Sequence, residues 1–394
     1  MPSTPLPGKI SNACFPLETK HTAGVFPLPD LRVRSAIAGM KPYLPPLDER
    51  DPEQHMLMDF NESPLPPQPE VIESVSRFLS RRTHIYPDYG ELLYVLSNYA
   101  GVGEASLILS NGSDQGIDIV LRCFLEKGDE LAMVRPGFVM FEQVASTLEA
   151  AVTGPQFPES LEFPARALKE AVTSQTKLIV VINPNNPTGT TVNQEVIVDL
   201  LQSFPKLPVL VDEAYFEFNG ASSILLLDEH PNLIILRTFS KALALSGLRL
   251  GYLIAHPDLI SEFHKIRGPY DVNAAAVVAA KTQLENPHSW QFVVKHLMQE
   301  VKPEVECFFE KKGVRYFPSR ANFMLVAPPD VEKAVEYFKT HGVLVRPMRP
   351  PLEHTIRLSL RMMPEMKRFM EIFGNYLNTL QNSSDDPGAD ILKA

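Results

Sequence analysis

The stretch Leu233-Ile234-Ile235-Leu236-Arg237-Thr238-Phe239-Ser240-Lys241, followed eight residues later by Arg249, decides the fold of this chain. Its four leading apolar residues predict a buried strand, and Lys241 stands just beyond the end of that strand. The amine of Lys241 can form a Schiff base with an aldehyde, while Ser240 and Arg249 can bind a phosphate. Pyridoxal 5'-phosphate (PLP) carries both groups. A solvated lysine is the simpler interpretation of this stretch alone, and the segments around it decide against that interpretation.

Strands and helices alternate outward from this stretch. Residues 107–109, 130–134, 178–182 and 209–211 are each predicted as a short strand, with helical segments between them. This alternation predicts an α/β fold with a doubly wound, mainly parallel sheet. Ligands on such sheets bind beyond the carboxyl ends of the strands, and each chemical motif described below follows a predicted strand.

The pattern changes after about residue 290, where a long helix precedes three strands and two further helices, which predicts a small α+β domain. We therefore divide the chain into five parts: an extended or disordered N-terminal arm, a segment that packs on the small domain, a large PLP-binding domain, the small C-terminal domain and a flexible tail. Their bounds are residues 1–30, 31–60, 61–289, 290–381 and 382–394.

Composition excludes several classes of protein. The 394 residues exceed the roughly 250–300 at which one core stops growing, so two domains are expected. A formal net charge of −10 argues against non-specific nucleic-acid binding. Three widely spaced cysteines form neither a disulfide framework nor a zinc pattern, so no metal site is expected. The N-terminus lacks the apolar core of a signal peptide and no apolar run is long enough to span a membrane, which predicts a cytoplasmic protein.

Two segments that follow predicted strands suit a phosphorylated ring. Ser110-Asn111-Gly112-Ser113-Asp114-Gln115 joins a strand to a helix, whose first turn offers N–H groups and a positive dipole end to a phosphate. Asp212 is costly to bury without a cationic partner, and a protonated pyridine nitrogen would be one. Tyr215 can donate to the O3' atom of the ring. An ordinary helix N-cap is the alternative for both segments.

Five further residues are candidates from their positions. The rigid turn 183–189 can aim the Asn186 amide at O3'. Phe138 can stack on the pyridine face, although a core aromatic residue is an almost equal alternative. Arg346 and Arg357 lie on predicted strands of the small domain, where arginine forks can bind carboxylate or phosphate. Asn322 is either a ligand donor or a turn residue.

Taken together, the motifs follow a fixed order: Asn61-Glu62-Ser63-Pro64, Tyr86-Pro87-Asp88, residues 111–115, residues 183–189, Asp212-Glu213-Ala214-Tyr215 and residues 237–252. In this order and spacing the chain resembles the fold-type I, class I/II PLP-dependent aminotransferases, and most of all their histidinol-phosphate aminotransferase branch. The resemblance extends from about Asp59 to Met370. It implies a large domain with a doubly wound, mainly parallel sheet and a smaller α+β C-terminal domain.

The resemblance also implies a role for each residue. Lys241 binds the cofactor covalently and moves protons, Asp212 pairs with the pyridine nitrogen, and Tyr215 holds O3' together with Asn186. Tyr86 reaches the cofactor phosphate of the neighbouring subunit, which implies a homodimer with shared sites. The implied cofactor-binding set is Tyr86, Ser113, Asp114, Gln115, Phe138, Asn186, Asp212, Tyr215, Thr238, Ser240, Lys241 and Arg249. The implied substrate-binding set is Asn61, Glu62, Asn322, Arg346 for a distal phosphate and Arg357 for the α-carboxylate.

Departures from the family pattern leave the substrate open. Phe138 stands where tyrosine is common in this branch, Arg361 stands where glycine is usual, and Arg349 lies in a loop with two prolines. Glu62 near the entrance would suit a cationic side chain such as a guanidinium. The first hypothesis is therefore transfer of the amino group of an L-amino acid, or of an amino-alcohol phosphate such as histidinol phosphate, to a 2-oxo acid. The alternative is elimination, cyclisation, oxidation or decarboxylation of a specialised amino acid, for example an arginine derivative. A non-enzymatic PLP-sensing regulator is disfavoured because residues 1–60 lack a basic winged-helix segment.

Overall fold

The computed structural model describes residues 32–47 and 50–384, with side chains described up to Gln381. The predicted N-terminal arm, residues 1–30, lies outside the described residues. The last helix continues to Ser384, so the predicted tail begins with three helical residues and its remainder lies outside the described part.

The described residues form twelve strands in two sheets. Those strands are β1 Met56–Met58, β2 Leu107–Ser110, β3 Glu130–Met133, β4 Ala151–Thr153, β5 Thr176–Ile182, β6 Val209–Asp212, β7 Leu233–Thr238, β8 Gly251–Ala255, β9 Arg315–Phe317, β10 Phe323–Ala327, β11 Val343–Pro347 and β12 Ile356–Ser359.

Helices surround both sheets. They are α1 Ser35–Ala38, α2 Pro69–Arg82, α3 Gly90–Ala100, α4 Gly112–Phe124, α5 Met140–Thr147, α6 Ala165–Glu170, α7 Gln194–Ser203, α8 Phe216–Asn219, α9 Pro257–Ile266, α10 Ala274–Glu285, α11 His288–His296, α12 Lys302–Lys312, α13 Val331–Thr340 and α14 Met363–Ser384. A π-helical turn, Leu297–Val301, joins α11 to α12, so the predicted long helix over 290–311 contains one irregular turn.

The large sheet has the order β2-β8-β7-β6-β5-β3-β4. The pairs from β7 to β4 are parallel, and β8 is antiparallel to both of its neighbours. Its central strands are buried on both faces, as the apolar runs predicted, because helices cover each side of a doubly wound sheet. The mainly parallel α/β fold is thus confirmed. The C-terminal ends of β2, β3, β5, β6 and β7 meet at one edge, and the site lies there.

The small sheet has the order β1-β11-β12-β10-β9. Its first strand comes from the N-terminal segment, because Met56 to Met58 pair in parallel with Val343 to Val345. The same segment also contacts the large sheet's helices, since the Arg34 guanidinium donates to the Thr147 carbonyl at the end of α5. The segment therefore bridges both halves of the molecule, and the domain bounds proposed above stay predictions. Within the described residues no helix has both the length and the apolar character needed to cross a membrane.

Candidate active site

Lys241 stands three residues beyond β7, at the floor of a cavity of about 1180 Å³ between the two sheets. Its Nζ donates a hydrogen bond of 2.9 Å to the carbonyl oxygen of Phe60. Burial, reinforced by the nearby Arg357 guanidinium, lowers the pKa of this lysine to about 8. A sizeable fraction of the amine is therefore neutral and nucleophilic near pH 7, which an exposed lysine is not.

Asp212 ends β6 with only 3% of its surface exposed, and it lines the same cavity. Its Oδ1 accepts a hydrogen bond of 3.0 Å from the Ala214 N–H. Burial raises the pKa of this carboxyl to about 7. Such a group is costly to ionise in this position unless a cation pairs with it. The protonated pyridine nitrogen of PLP would supply that cation, so the carboxyl fits the cofactor.

A cluster of two amides and a phenol forms the next part of the cavity wall. The Tyr215 hydroxyl accepts hydrogen bonds from the Asn61 side chain at 3.0 Å and from the Asn186 side chain at 3.4 Å. Burial raises the pKa of this phenol, so it is a neutral donor at pH 7. The turn after β5 and the segment after β1 thus meet at Tyr215, where an O3' oxygen would find donors.

Arg249 organises a cradle beside Lys241. Its guanidinium donates to the Ser240 hydroxyl at 3.3 Å and pairs with the Asp114 carboxylate at 3.0 Å. The Thr238 hydroxyl donates to the Ser240 hydroxyl at 3.0 Å. A Cβ added to Gly112 would lie 2.5 Å from Nη2 of Arg249, and φ there is +72°.

This cradle suits a phosphate, because two hydroxyls, a guanidinium and the N-terminal turn of α4 converge on it. Ser113 lies in that turn and lines the cavity. Asp114 is itself an acceptor, so its part is to hold the arginine rather than to bind the anion.

Arg357 and Arg346 stand at two depths of the cavity. Arg357 donates from Nη1 to the Asn186 amide oxygen at 2.6 Å and from Nη2 to the Asp59 carbonyl at 2.7 Å. Its Nε is buried without a hydrogen-bond partner. Arg346 donates to the Tyr43 hydroxyl at 3.4 Å, with its guanidinium carbon 5.6 Å from the centre of the Phe60 ring. Both arginines have donors in the cavity for an anionic ligand.

A buried ion pair fixes the strand ends that carry these groups. Arg237 on β7 pairs with Glu213, just after β6, at 2.9 Å, and both side chains are nearly fully buried. The Arg237 guanidinium also lies 3.7 Å from the Phe216 ring centre. Because neither charge is tolerated alone at this depth, the pair keeps the ends of β6 and β7 in register beside Asp212 and Thr238.

The structure also shows which of the sequence-predicted residues line the cavity. Phe138 is on its wall and packs partly on the core under α4 and α5. Gln115 is bound instead between the Asn111 N–H and the Asp271 carboxylate, at 2.5 and 2.7 Å. Asn322 is fully buried and donates to the Asn61 carbonyl, so it supports the segment that binds Tyr215.

The remaining two predicted residues lie at the margins. The Glu62 carboxylate is paired with Arg50. Tyr86 is 76% exposed and stacks on Tyr270, with ring centres 4.4 Å apart, outside the cavity of its own chain. Residues that sequence reasoning missed are Tyr43, Arg50 and Asp59. Only Asp59 carries a sequence signal, because it is a charged residue directly after the short apolar strand β1.

The fold and this set of donors together define a PLP-dependent transferase. The family described as aminotransferase class I and II matches residues 53–373, and the chain belongs to that family. Histidinol-phosphate aminotransferase 2 of Hydrogenovibrio crunogenus is 34% identical over 363 residues, which cover 87% of this chain and 95% of that protein.

Two solved structures share the fold. The histidinol-phosphate aminotransferase from Sinorhizobium meliloti, in complex with pyridoxal-5'-phosphate, has a TM-score of 0.80 at 24% identity and covers 89% of this chain and 98% of its own. The L-threonine-O-3-phosphate decarboxylase from Porphyromonas gingivalis has a TM-score of 0.70 at 20% identity and covers 82% and 99%. The fold therefore serves more than one reaction, and the chemistry must be argued from the site.

Proposed function

We propose that this enzyme moves the amino group of an L-amino acid, or of an amino-alcohol phosphate that resembles histidinol phosphate, to a 2-oxo acid. The observation that carries this proposal is that the cavity has arginines at two positions, one close to Lys241 and one on the outer wall. Arg357 is close enough to lower the pKa of the lysine, while Arg346 and the exposed Arg349 lie on the outer wall. The two carboxylates of 2-oxoglutarate would meet both positions, one next to the reacting carbon and one at the far end, whereas an amino-alcohol phosphate would offer its single phosphate to these arginines.

PLP, when bound, supplies a ring that withdraws electrons from the Cα of the amino substrate. The chain's own residues prepare this chemistry. The Lys241 amine, whose pKa burial lowers to about 8, is the base that takes the Cα proton. Asp212 holds the proton on the ring nitrogen, and Tyr215 orients O3'. Pro45 and the buried Leu352 place apolar surface on the cavity wall, which limits the access of water to this region.

Arg357 serves both halves of the reaction in this proposal. Asn186 and the Asp59 carbonyl use two of its five N–H donors, so the guanidinium is held in place while other donors remain. A bidentate contact to an α-carboxylate then fixes the amino acid and, after it leaves, the 2-oxo acid in one orientation. Arg346 would bind the distal phosphate or carboxylate.

We further propose a homodimer in which Tyr86 reaches the neighbouring site. Ile85 and Tyr86 are exposed together, and Tyr86 stacks on Tyr270 one residue before Asp271. Asp271 in turn holds Gln115 at the phosphate cradle. The exposed aromatic pair is thus linked through Asp271 and Gln115 to helix α4, whose first turn contributes to the phosphate cradle, and exposed apolar side chains such as these favour an interface. The cytoplasm stays our prediction for the compartment.

The experiment offers the purified enzyme ¹⁵N-labelled amino donors with 2-oxoglutarate, and the donors that have an α-carboxyl group are also labelled there with ¹³C. The panel includes histidinol phosphate, aromatic amino acids, and arginine with its hydroxylated derivatives. ¹⁵N-glutamate with no ¹³CO₂ supports transamination and names the donor. Release of ¹³CO₂, or a rearranged product that keeps its ¹⁵N, refutes it in favour of decarboxylation, elimination or cyclisation. Arg357→Gln should raise KM for 2-oxoglutarate about 10- to 100-fold, the usual effect of losing a hydrogen bond to a charge.

A further inference from the structure

Four consecutive residues, Asp59 to Glu62, carry the contacts that hold both active-site cations. The Asp59 carbonyl accepts from Arg357 at 2.7 Å, and the next carbonyl, of Phe60, accepts from Lys241 at 2.9 Å. The third, of Asn61, accepts from Asn322 at 3.1 Å. The positions of the lysine and of the arginine are therefore set by the backbone of one tetrapeptide.

Arg50 is the side chain that contacts this tetrapeptide most extensively. Its Nε donates to the Asp59 carboxylate at 3.2 Å and its Nη2 to the same carboxylate at 3.3 Å. Nη2 also donates to the Glu62 carboxylate. The guanidinium carbon lies 4.7 Å from the centre of the Phe60 ring, so one fork engages three of the four residues.

Burial strengthens the ion pair between Arg50 and Asp59. The side chains of Arg50 and Asp59 are 14% and 7% exposed, so their ion pair is shielded from water and salt far more than a surface pair is. Asp59 lines the cavity and lies near enough to Arg357 to act on it electrostatically. If its carboxylate lost Arg50, it would compete with a substrate carboxylate for Arg357.

We propose that Arg50 is a positioning residue for substrate-carboxylate binding, acting through the Asp59–Glu62 tetrapeptide on Arg357. It keeps the Asp59 carboxylate occupied and the Asp59 carbonyl aimed at the guanidinium of Arg357. This inference rests on the proposed role of Arg357. Its distinguishing consequence is that loss of Arg50 weakens the binding of carboxylate substrates while cofactor binding, which uses Asp212, Arg249 and Ser240, is retained.

The test compares Arg50→Met, Arg357→Gln and the double variant. Arg50→Met should raise KM for 2-oxoglutarate about tenfold, while the Kd of PLP, titrated by fluorescence on cofactor-free protein, changes less than twofold. Because Arg50 acts through Arg357, the double variant should have the KM of Arg357→Gln alone. Arg50→Lys, which has one point charge for two carboxylates, should give an intermediate KM.

Arg166→Met is the matched control, because it breaks an exposed arginine–glutamate pair, with Glu170, away from the cavity. It should leave KM and Kd unchanged. An unchanged KM in Arg50→Met, a Kd for PLP that rises by the same factor, or fully additive effects with Arg357→Gln would overturn the inference. If Arg50→Met does not fold, Arg50→Lys decides by the same criteria. A normal KM in Arg357→Gln would instead refute the proposed function and the inference together.

Discussion

Replacement of Asp212 by asparagine should raise the free energy of unfolding of the cofactor-free protein and should weaken its binding of PLP. The carboxyl is almost fully buried, and burial raises its pKa from 3.8 to about 7. Asparagine has nearly the same shape and can still accept from the Ala214 N–H, but it carries no charge to bury. It also has no charge with which to pair a cationic ring nitrogen, so PLP should bind more weakly.

The magnitude follows from linkage. The folded protein holds the Asp212 proton more tightly than the unfolded chain, so stability is lost as the pH rises from 3.8 and the loss is complete above about 7. A shift of this size corresponds to about 4 kcal/mol. Asparagine avoids the whole of this cost at pH 8, but only about a third of it at pH 5, where the loss has just begun.

The assay is chemical denaturation of cofactor-free protein at pH 5 and at pH 8, with the Kd of PLP measured in parallel. Asp212→Asn should exceed the parent in unfolding free energy by more at pH 8 than at pH 5. Asp199→Asn is the control, because Asp199 is an exposed acid on α7 and its replacement should show no such pH dependence. A gain that is equal at both pH values, or absent at pH 8, would refute the reasoning.

Four further results are expected. Lys241→Ala should abolish turnover while retaining non-covalent PLP; turnover at the normal rate would exclude the lysine as the base. Covalent loading of PLP on cofactor-free protein, measured by mass spectrometry after borohydride reduction, should rise with pH and level off above about 8, the pKa of Lys241, rather than near 10. Gly112→Ala should weaken PLP binding at least tenfold, because its Cβ would lie 2.5 Å from the Arg249 guanidinium, whereas Gly103→Ala, with open space around it, should not. Co-expressed Tyr86→Ala and Lys241→Ala chains should regain part of the activity in mixed dimers if Tyr86 serves the neighbouring site, and no recovery would contradict the sharing.

The parallel part of the sheet was predictable because its strands are short apolar runs closed by polar turns. Strand β8, Gly251–Ala255, was not predicted, although it is fully buried. It starts only two residues after Arg249, so its first residues read as part of the phosphate motif, and its antiparallel direction has no sequence signature. Helix α4 starts at Gly112, inside the segment 110–115 that was predicted to join a strand to a helix, because its polar first turn lacks helical hydrophobic periodicity.

The positions of Asp212 and Lys241 on the cavity wall were predictable because each residue lies at the end of a predicted strand or just beyond it. The contacts of a candidate site residue were not predictable where its hydrogen-bond or ion-pair partner lies elsewhere in the sequence. Gln115 is held by Asp271, 156 positions away, and Glu62 is held by Arg50 across a strand. The sequence around Gln115 and around Glu62 gives no indication of either partner. Arg50 looks like any other arginine in a polar loop, and only the fold reveals that it contacts Asp59, Phe60 and Glu62.

The two sheets contribute different walls of the cavity, and this arrangement matters for redesign of the enzyme. The proposed cofactor-binding residues Asp212, Ser240 and Arg249 lie at the end of β6 and in the connection from β7 to β8 of the large sheet, whereas residues 344–352 of the outer wall belong to β11 of the small sheet and the loop that follows it. We therefore expect that a chimaera that exchanges residues 344–352 for those of a relative changes its substrate preference and keeps the proposed catalytic base, Lys241, in place. Substrate selectivity should then be exchangeable between relatives as one continuous segment of the chain.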